Sequence, residues 1–188
     1  MKTNFWGIWK ESLDELRDVY VLTCCGILAA LAVALKFVAS IDIGEYIRIG
    51  FSDLPGMAVS VLFGPAAGGI FWGMLDIIKY IVAPTGPFFP GFTVSAVING
   101  ILFGLILYRR PLSVQRIFAA QLLSKVVVSL CINTFWLSVL YGNAFLVMLP
   151  ARALTNAVML PIDTALTFVI LRFVSKLWRQ TVQLRVVR

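Results

Sequence analysis

The chain has 188 residues, of which 60% are hydrophobic and only 13% are charged, and its formal net charge is +7. A soluble domain would carry about 25% charged residues, so the composition excludes an ordinary soluble domain and indicates a multi-pass membrane protein. The sequence has no histidine and no G-x-x-x-x-G-K-[ST] loop, which excludes histidine-based catalysis, most zinc and haem sites, and ATP binding through a Walker loop.

The first predicted element is an amphipathic helix over residues 5–19. Trp6, Trp9, Leu13 and Leu16 recur at spacings of three and four, and charged residues fill the other side. The pattern predicts a helix that lies at the membrane surface; the alternative is that the helix packs on a partner protein. No signal peptide is predicted, because the first twenty residues are polar and mixed in charge, with no short apolar core and no cleavage motif.

Six apolar spans follow, at about residues 20–41, 54–63, 66–82, 92–108, 117–140 and 145–178. The second span is too short to cross a bilayer unless it borrows residues from 46 onward, and residues 42–53 read as a polar loop. Gly68, Gly69 and Gly73 thin the third span and favour close packing of a neighbouring helix. We therefore predict an all-α integral membrane protein with one domain over residues 1–188, a bundle over 20–178 and a tail over 179–188.

The positive charges predict the orientation of this bundle. Six spans place both termini on one side of the membrane, and that side would hold nearly all the basic residues outside the spans. The positive-inside rule then places the two termini and the tail in the cytoplasm and the loop over residues 84–92 outside. This distribution also accounts for the net charge without a nucleic-acid partner. The basic residues of that side are Lys2, Lys10, Arg17, Arg109, Arg110, Arg116, Arg172, Lys176, Arg179, Arg185 and Arg188.

Polar and aromatic side chains converge in the outer half of this predicted bundle, in spans one, three, four, five and six. Such a bias favours a ligand pocket that opens outward over simple hydrogen bonding between helices. Lys36 either snorkels to the surface or faces that cavity. The residues that converge are Lys36, Asp76, Lys79, Tyr80, Thr93, Ser95, Asn99, Asn133, Trp136, Arg152 and Asn156.

Two charge pairs are predicted inside the spans. Asp76 and Lys79 are i,i+3 neighbours that can pair with each other. Lys125 and Asp163 lie deeper, at similar depths on neighbouring spans, and are interpreted as a structural ion pair.

The chemistry of the converging residues suggests the class of ligand. Tyr80, Trp136 and the phenylalanines at 88, 89 and 92 can stack on a flat ring, and Asp76 and Asn99 can pair with its amide and amino groups. Lys36, Lys79 and Arg152 offer cations to carboxylates. We therefore predict a ligand with an aromatic heterocycle and acidic groups. No grouped carboxylates or nucleophile–base pair point to an enzyme, and no metal or cofactor site is predicted.

Three motifs resemble one known family. P-T-G-P-F-F-P-G-F-T at residues 84–93 resembles the signature loop of folate-binding S components of energy-coupling factor (ECF) vitamin transporters. Leu54-Pro55 and Phe63-Gly64-Pro65, before a glycine-rich helix, are also similar to that family. G-I-L-A-A-L-A at residues 26–32 resembles the small-residue motif on the first helix of S components generally.

The resemblance implies a six-helix subunit of the bacterial cell membrane that captures folate outside with high affinity, beneath a loop that contributes Phe89, Pro90, Gly91 and Phe92. It implies docking on a transmembrane coupling protein and two ATPases through Gly26, Ala30 and Ala34. By spacing alone, those three residues are better explained by packing within this chain. The alternatives are an S component for another vitamin, such as hydroxymethylpyrimidine or pyridoxine, and a stand-alone secondary transporter.

Overall fold

Helices and one short hairpin make up the fold. The computed structural model describes residues 5–38, 40–43, 47–84, 87–142 and 145–186. The predicted helical class is confirmed for them. In chain order the elements are α1 (Phe5–Glu15), α2 (Val19–Val38), β1 (Ser40–Ile43), β2 (Ile47–Gly50), a 3-10 turn (Phe51–Asp53), α3 (Leu54–Val82), α4 (Pro90–Leu107), α5 (Val114–Leu123), a π-helical segment (Ser124–Asn133), α6 (Thr134–Tyr141) and α7 (Phe145–Val186).

Five helical stretches of the described residues are long and apolar enough to cross a membrane, where the sequence predicts six spans. The difference arises in α3, which joins the predicted second and third spans. The backbone leaves the helical conformation at Gly64, with φ 91° and ψ −175°, values that glycine adopts far more readily than other residues. The five candidate spans are Val19–Phe37, Phe51–Val82, Pro90–Leu107, Val114–Leu140 and Leu149–Trp178. The cytoplasmic location of the termini stays a prediction.

The predicted loop over residues 42–53 is in part a hairpin. Strands β1 and β2 pair antiparallel, with Ser40 opposite Gly50 and Asp42 opposite Arg48. The signal for it was present in the sequence, because isoleucines at 41, 43, 47 and 49 alternate with polar residues at the period of a strand. The hairpin leads directly through the 3-10 turn into α3.

Helices α3 and α4 pack closely enough for their backbones to touch. A methyl group at Gly100 would lie 2.5 Å from the carbonyl oxygen of Gly68, and one at Gly69 would lie 2.9 Å from the Ile101 side chain. The predicted close approach at the glycines of the third span is therefore confirmed. Phe63 and Phe103 are fully buried in the core.

Helix α1 packs against the break in α3. The buried hydroxyl of Ser12 donates to the carbonyl oxygen of Phe63 at 2.7 Å and accepts from the backbone N–H groups of Ala66 and Ala67, both at 3.1 Å. Ser12 therefore satisfies backbone groups that the break at Gly64 leaves without helical partners. The predicted helix is present, and one of its faces lies on the chain's own bundle.

A polar network joins the end of α1 to the end of α4. Tyr108 donates to the Glu15 carboxylate at 3.0 Å, and Arg109 forms an ion pair with Glu11 at 2.7 Å. Burial raises the pKa of Glu15 above its ordinary value, against the opposing effects of the Tyr108 hydrogen bond and the Arg109 charge. At the other terminus, α7 continues to Val186, so most of the predicted tail is helical.

The outer face of α2 carries the small residues predicted to meet a partner. Gly26, Ala30 and Ala34 are all exposed, and a methyl group at Gly26 would meet nothing within 4 Å. The exposure of all three residues disfavours the interpretation of their spacing as packing within this chain.

Candidate functional site

A cavity of about 530 Å³ lies between α2, the 3-10 turn, α3, α4, the π-helical segment and α6. This volume falls in the range of small-molecule binding sites. Its lining consists of Lys36, Ser52, Asp53, Trp72, Leu75, Asp76, Lys79, Tyr80, Pro87, Phe88, Phe89, Phe92, Ser95, Ala96, Asn99, Val128, Asn133, Leu137 and Leu140.

Ten of the predicted site residues line this cavity. They come from α2, α3, the segment before α4, α4 itself and the π-helical segment, so the structure brings together residues that the sequence predicted to converge. The ten are Lys36, Asp76, Lys79, Tyr80, Phe88, Phe89, Phe92, Ser95, Asn99 and Asn133. Thr85 and Gly86 of the same loop lie outside the described residues.

Six predicted residues lie outside the lining, namely Pro90, Gly91, Thr93, Trp136, Arg152 and Asn156. Some of them support lining residues. Gly91 leaves room for the Trp136 ring, because a methyl group there would lie 2.6 Å from it. Asn156 donates to the Ser129 hydroxyl at 3.0 Å and to the carbonyl oxygen of Arg152 at 2.9 Å, so its amide serves contacts outside the cavity.

Two lysines form one wall of the cavity. The Lys36 ammonium donates to the carbonyl oxygens of Lys79 at 3.1 Å and Ala83 at 2.8 Å, which belong to the last turn of α3 and its C-cap. The Lys79 ammonium donates to the Asp53 carboxylate at 2.8 Å and to the backbone oxygen and hydroxyl of Ser52 at 3.0 and 3.1 Å. The wall therefore presents two cations, one from α2 and one from α3.

The predicted pair between Asp76 and Lys79 is not formed. Asp76 instead accepts a hydrogen bond from the Thr93 hydroxyl at 2.8 Å, across the α3–α4 interface. Lys79 reaches to the 3-10 turn and pairs with Asp53. The two side chains point to different neighbours because each has a tertiary partner that a spacing rule within one helix does not include.

Aromatic rings cover the side of the cavity near residues 87–92. The Tyr80 and Phe88 ring centroids are 5.0 Å apart, and those of Phe89 and Phe92 are 5.9 Å apart. Trp136, which is outside the lining, packs on Phe89 with 5.4 Å between the ring centroids. The rings of the lining can hold a flat ligand, and Trp136 supports the Phe89 ring.

Two buried polar atoms have no hydrogen-bond partner within the part of the chain that the structure describes, although their residues line the cavity. They are the indole nitrogen of Trp72 and the amide oxygen of Asn133. Buried polar groups are nearly always satisfied, so an unpaired donor and acceptor on a cavity wall indicate the position of a polar ligand. Nearby, Ser124 donates to the Asn99 amide oxygen at 2.5 Å.

Several lining residues were missed from the sequence. Trp72 precedes Asp76 by one helical turn, and Tyr80 follows it by another. Their i,i+4 spacing therefore could have identified the side of α3 that faces the cavity. Ser52 and Asp53 gave no such signal, because a turn between a hairpin and a helix has no period that predicts the direction of a side chain.

The predicted pair between Lys125 and Asp163 is confirmed, with 2.7 Å between the ammonium and the carboxylate. It joins the π-helical segment to α7. The π-helical segment also contributes Val128 and Asn133 to the cavity, so this ion pair supports one of the cavity walls.

Comparisons with known proteins identify similar sequences and folds. A family model described as "ECF transporter, substrate-specific component" matches residues 21–171. A "Folate transporter FolT" of Clostridium novyi (strain NT) is 31% identical over 162 residues, which cover 86% of this chain and 94% of the relative. A protein of the same name from Leuconostoc mesenteroides is 26% identical over 153 residues, covering 77% and 83%. The solved structure "Crystal structure of FolT bound with folic acid" superposes with a TM-score of 0.70 at 26% identity, covering 81% of this chain and 91% of that one.

Proposed function

Because the chain belongs to the family of substrate-specific components of ECF transporters, we propose that it captures folate outside the cell for an ATP-driven uptake system. As a member of that family it is a multi-pass protein of the bacterial cell membrane and a transport component, not an enzyme. The observation that carries the choice of folate is the cavity, whose chemistry differs from one end to the other.

The two-lysine wall suits the acidic tail of folate. Lys36 and Lys79 lie close together, since Lys36 donates to the backbone of Lys79 itself. Phe88 and Asp53, on the same side of the cavity, are exposed. A charged glutamate tail at this end would meet cations while it keeps access to water, which lowers the cost of desolvating it.

The opposite end suits the pterin ring. Trp72, Ser95 and Val128 are buried there, and the indole N–H of Trp72 and the side-chain amide oxygen of Asn133, which have no partner in the described chain, would suit a ligand that has both acceptors and donors. Asp76 can accept from the amino and amide N–H groups of the ring through the oxygen that Thr93 does not bind. The aromatic side of the cavity would lie along the ring system between these two ends.

Calorimetric titration of the purified protein in detergent tests this proposal. Folate is expected to bind one site tightly, and a neutral pterin without the aminobenzoyl-glutamate tail should bind the same site more weakly. Riboflavin, pyridoxine and hydroxymethylpyrimidine form the comparison panel. Tight binding of one of these, with no binding of folate, would leave the family membership intact and transfer the proposal to that vitamin.

Delivery of the ligand requires partners, which we propose to be a membrane coupling protein and two ATPases. The exposed face of Gly26, Ala30 and Ala34 supports this proposal, because small residues allow another helix to approach closely. If this chain transports alone, vesicles that contain only the purified chain will accumulate folate. No accumulation without the ATPases is expected.

Replacing Ala30 by leucine should separate binding from delivery. The added side chain would hold a partner helix away from α2, so folate uptake in cells that also produce the coupling protein and ATPases is expected to fall at least about tenfold. Folate affinity of the isolated variant should not change. Val169→Phe, at an exposed position on α7, is the matched control and should keep uptake. Equal losses in both variants would contradict a specific role for the α2 face.

A further inference from the structure

We propose that Asp53 is a specificity-determining residue, which competes with the carboxylate of a ligand for the Lys79 ammonium. The inference rests on the proposed function in one respect, namely that the ligand of this cavity carries a carboxylate. Under this proposal Asp53 weakens the binding of every anion and leaves neutral ligands unaffected. Ligands that offer only a carboxylate are thereby disfavoured.

The geometry makes Lys79 the contested group. Its ammonium lies 2.8 Å from the Asp53 carboxylate, and both residues line the cavity. A ligand carboxylate that enters this end of the cavity would compete for the same cation, because the Asp53 carboxylate already accepts from one of the N–H donors of that ammonium.

Asp53 can be displaced at low cost. Its side chain is 53% exposed, whereas that of Lys79 is only 13% exposed. A carboxylate that faces water keeps most of its hydration when its partner is taken, and exposed ion pairs contribute little stability. Lys79 would not lose its place, because the backbone oxygen and hydroxyl of Ser52 hold its ammonium independently.

The Asp53 carboxylate has no other structural task in the described chain. It stands at the N-cap position of α3 but makes no side-chain capping hydrogen bond there. It also accepts a long 3.3 Å hydrogen bond from the hydroxyl of Ser52. Asp53 also lines a second cavity of about 270 Å³, together with Leu54 and Thr167, so there is open space beside its side chain.

The charges of the lining explain the consequence for specificity. The cavity wall holds two cations, Lys36 and Lys79, and two carboxylates, Asp53 and Asp76, so these four residues carry no net charge. An anion therefore gains little from charge alone and must also fit the ring-binding end. Without the charge of Asp53 the wall would be positive, and small carboxylates would bind more readily.

Asp53→Asn tests the proposal because it removes the charge and keeps the size. Folate affinity is expected to rise about two- to fivefold, the range of an exposed ion pair, while the affinity for a neutral pterin stays constant. The gain should shrink at high salt, where charges are screened. Asp14→Asn, the same change at an exposed site on α1, is the control and should leave both affinities unchanged.

A double-mutant cycle with Lys79→Met identifies the group through which Asp53 acts. In the Lys79→Met background, Asp53→Asn should give no gain in folate affinity, because the contested cation is gone. An equal gain in both backgrounds, an unchanged folate affinity, or a loss that is the same for folate and the neutral pterin would each overturn the proposal. Thermal unfolding of every variant identifies a fold defect, and Asp53→Ser then replaces a variant that fails to fold.

The proposed function and the role of Asp53 are tested by different measurements. Titration of the wild-type protein decides whether folate is the ligand, whereas the ratio of the affinities of Asp53→Asn and wild type decides the role of Asp53. If the panel identifies another vitamin, the same ratio is measured with that vitamin and with a carboxylate derivative of it, and only the derivative should gain affinity from Asp53→Asn. A gain for anionic ligands together with no folate binding would support the role of Asp53 and reject folate.

Discussion

Asp76→Asn is expected to weaken the binding of folate by about 2 to 3 kcal/mol, or about 30- to 150-fold. The carboxylate of Asp76 accepts one hydrogen bond from Thr93 and faces the cavity from α3. In our proposal its other oxygen accepts from the pterin ring. Asparagine keeps the Thr93 bond but turns an NH₂ group toward the N–H donors of the ring, so two donors face each other and a buried charge-assisted bond is lost.

The neutral pterin decides whether this effect belongs to the ring. Because Asp76 is assigned to the pterin and not to the glutamate tail, calorimetry should give the same loss for folate and for the neutral pterin. Thr93→Val is the matched control, since it removes the hydroxyl that orients Asp76 and leaves the charge. We expect it to cost less than about tenfold. A loss for folate alone would move Asp76 to the tail-binding end of the cavity.

The helical architecture was predictable because hydrophobic length and charge distribution dominate the free energy of a chain in a bilayer. Apolar length placed α2 and α4 to within a few residues and also the start of α7, and the glycines of the predicted third span indicated close packing of a neighbouring helix, which is α4. The break at Gly64 was not predicted, because hydropathy averaged over many residues carries no information about the backbone dihedral angles of one residue. The hairpin was missed for a related reason, since its alternating isoleucines are few and lie among charges.

The sequence predicted how far along each helix the cavity residues lie, but not the direction in which each side chain points. Depth along a helix follows from residue number at about 1.5 Å per residue, and Lys36, Asp76 and Asn99, which were predicted at one level, line one cavity. Arg152 was predicted at that level but lies outside the lining, because depth along a helix does not give the rotation of the helix about its axis. Asp53, in contrast, lines the cavity but was not predicted. Its pairing with Lys79 spans 26 residues, so no spacing rule within one helix could have indicated it.

Breaking the ion pair between Lys125 and Asp163 is expected to lower the free energy of unfolding by about 3 to 5 kcal/mol. The two side chains are only 14% and 29% exposed and lie inside candidate spans. Lys125→Met would leave the Asp163 carboxylate without its cation in a setting where a lone charge is costly. Because the pair holds the π-helical segment, which contributes Val128 and Asn133 to the cavity, ligand affinity should fall as well.

Replacing both partners distinguishes the cost of an unpaired charge from the worth of the pair. Lys125→Met with Asp163→Leu removes both charges and fills the space with apolar atoms, so the double variant should be more stable than either single variant and close to wild type. Thermal unfolding in one detergent gives the ranking, with Lys10→Met on the exposed face of α1 as the control. If the double variant were as unstable as the two single losses combined, the pair would contribute net stability through its geometry. Recovery of stability without recovery of ligand affinity would instead mean that the ion pair is retained to hold the cavity wall in one position, which apolar packing at the same site does not reproduce.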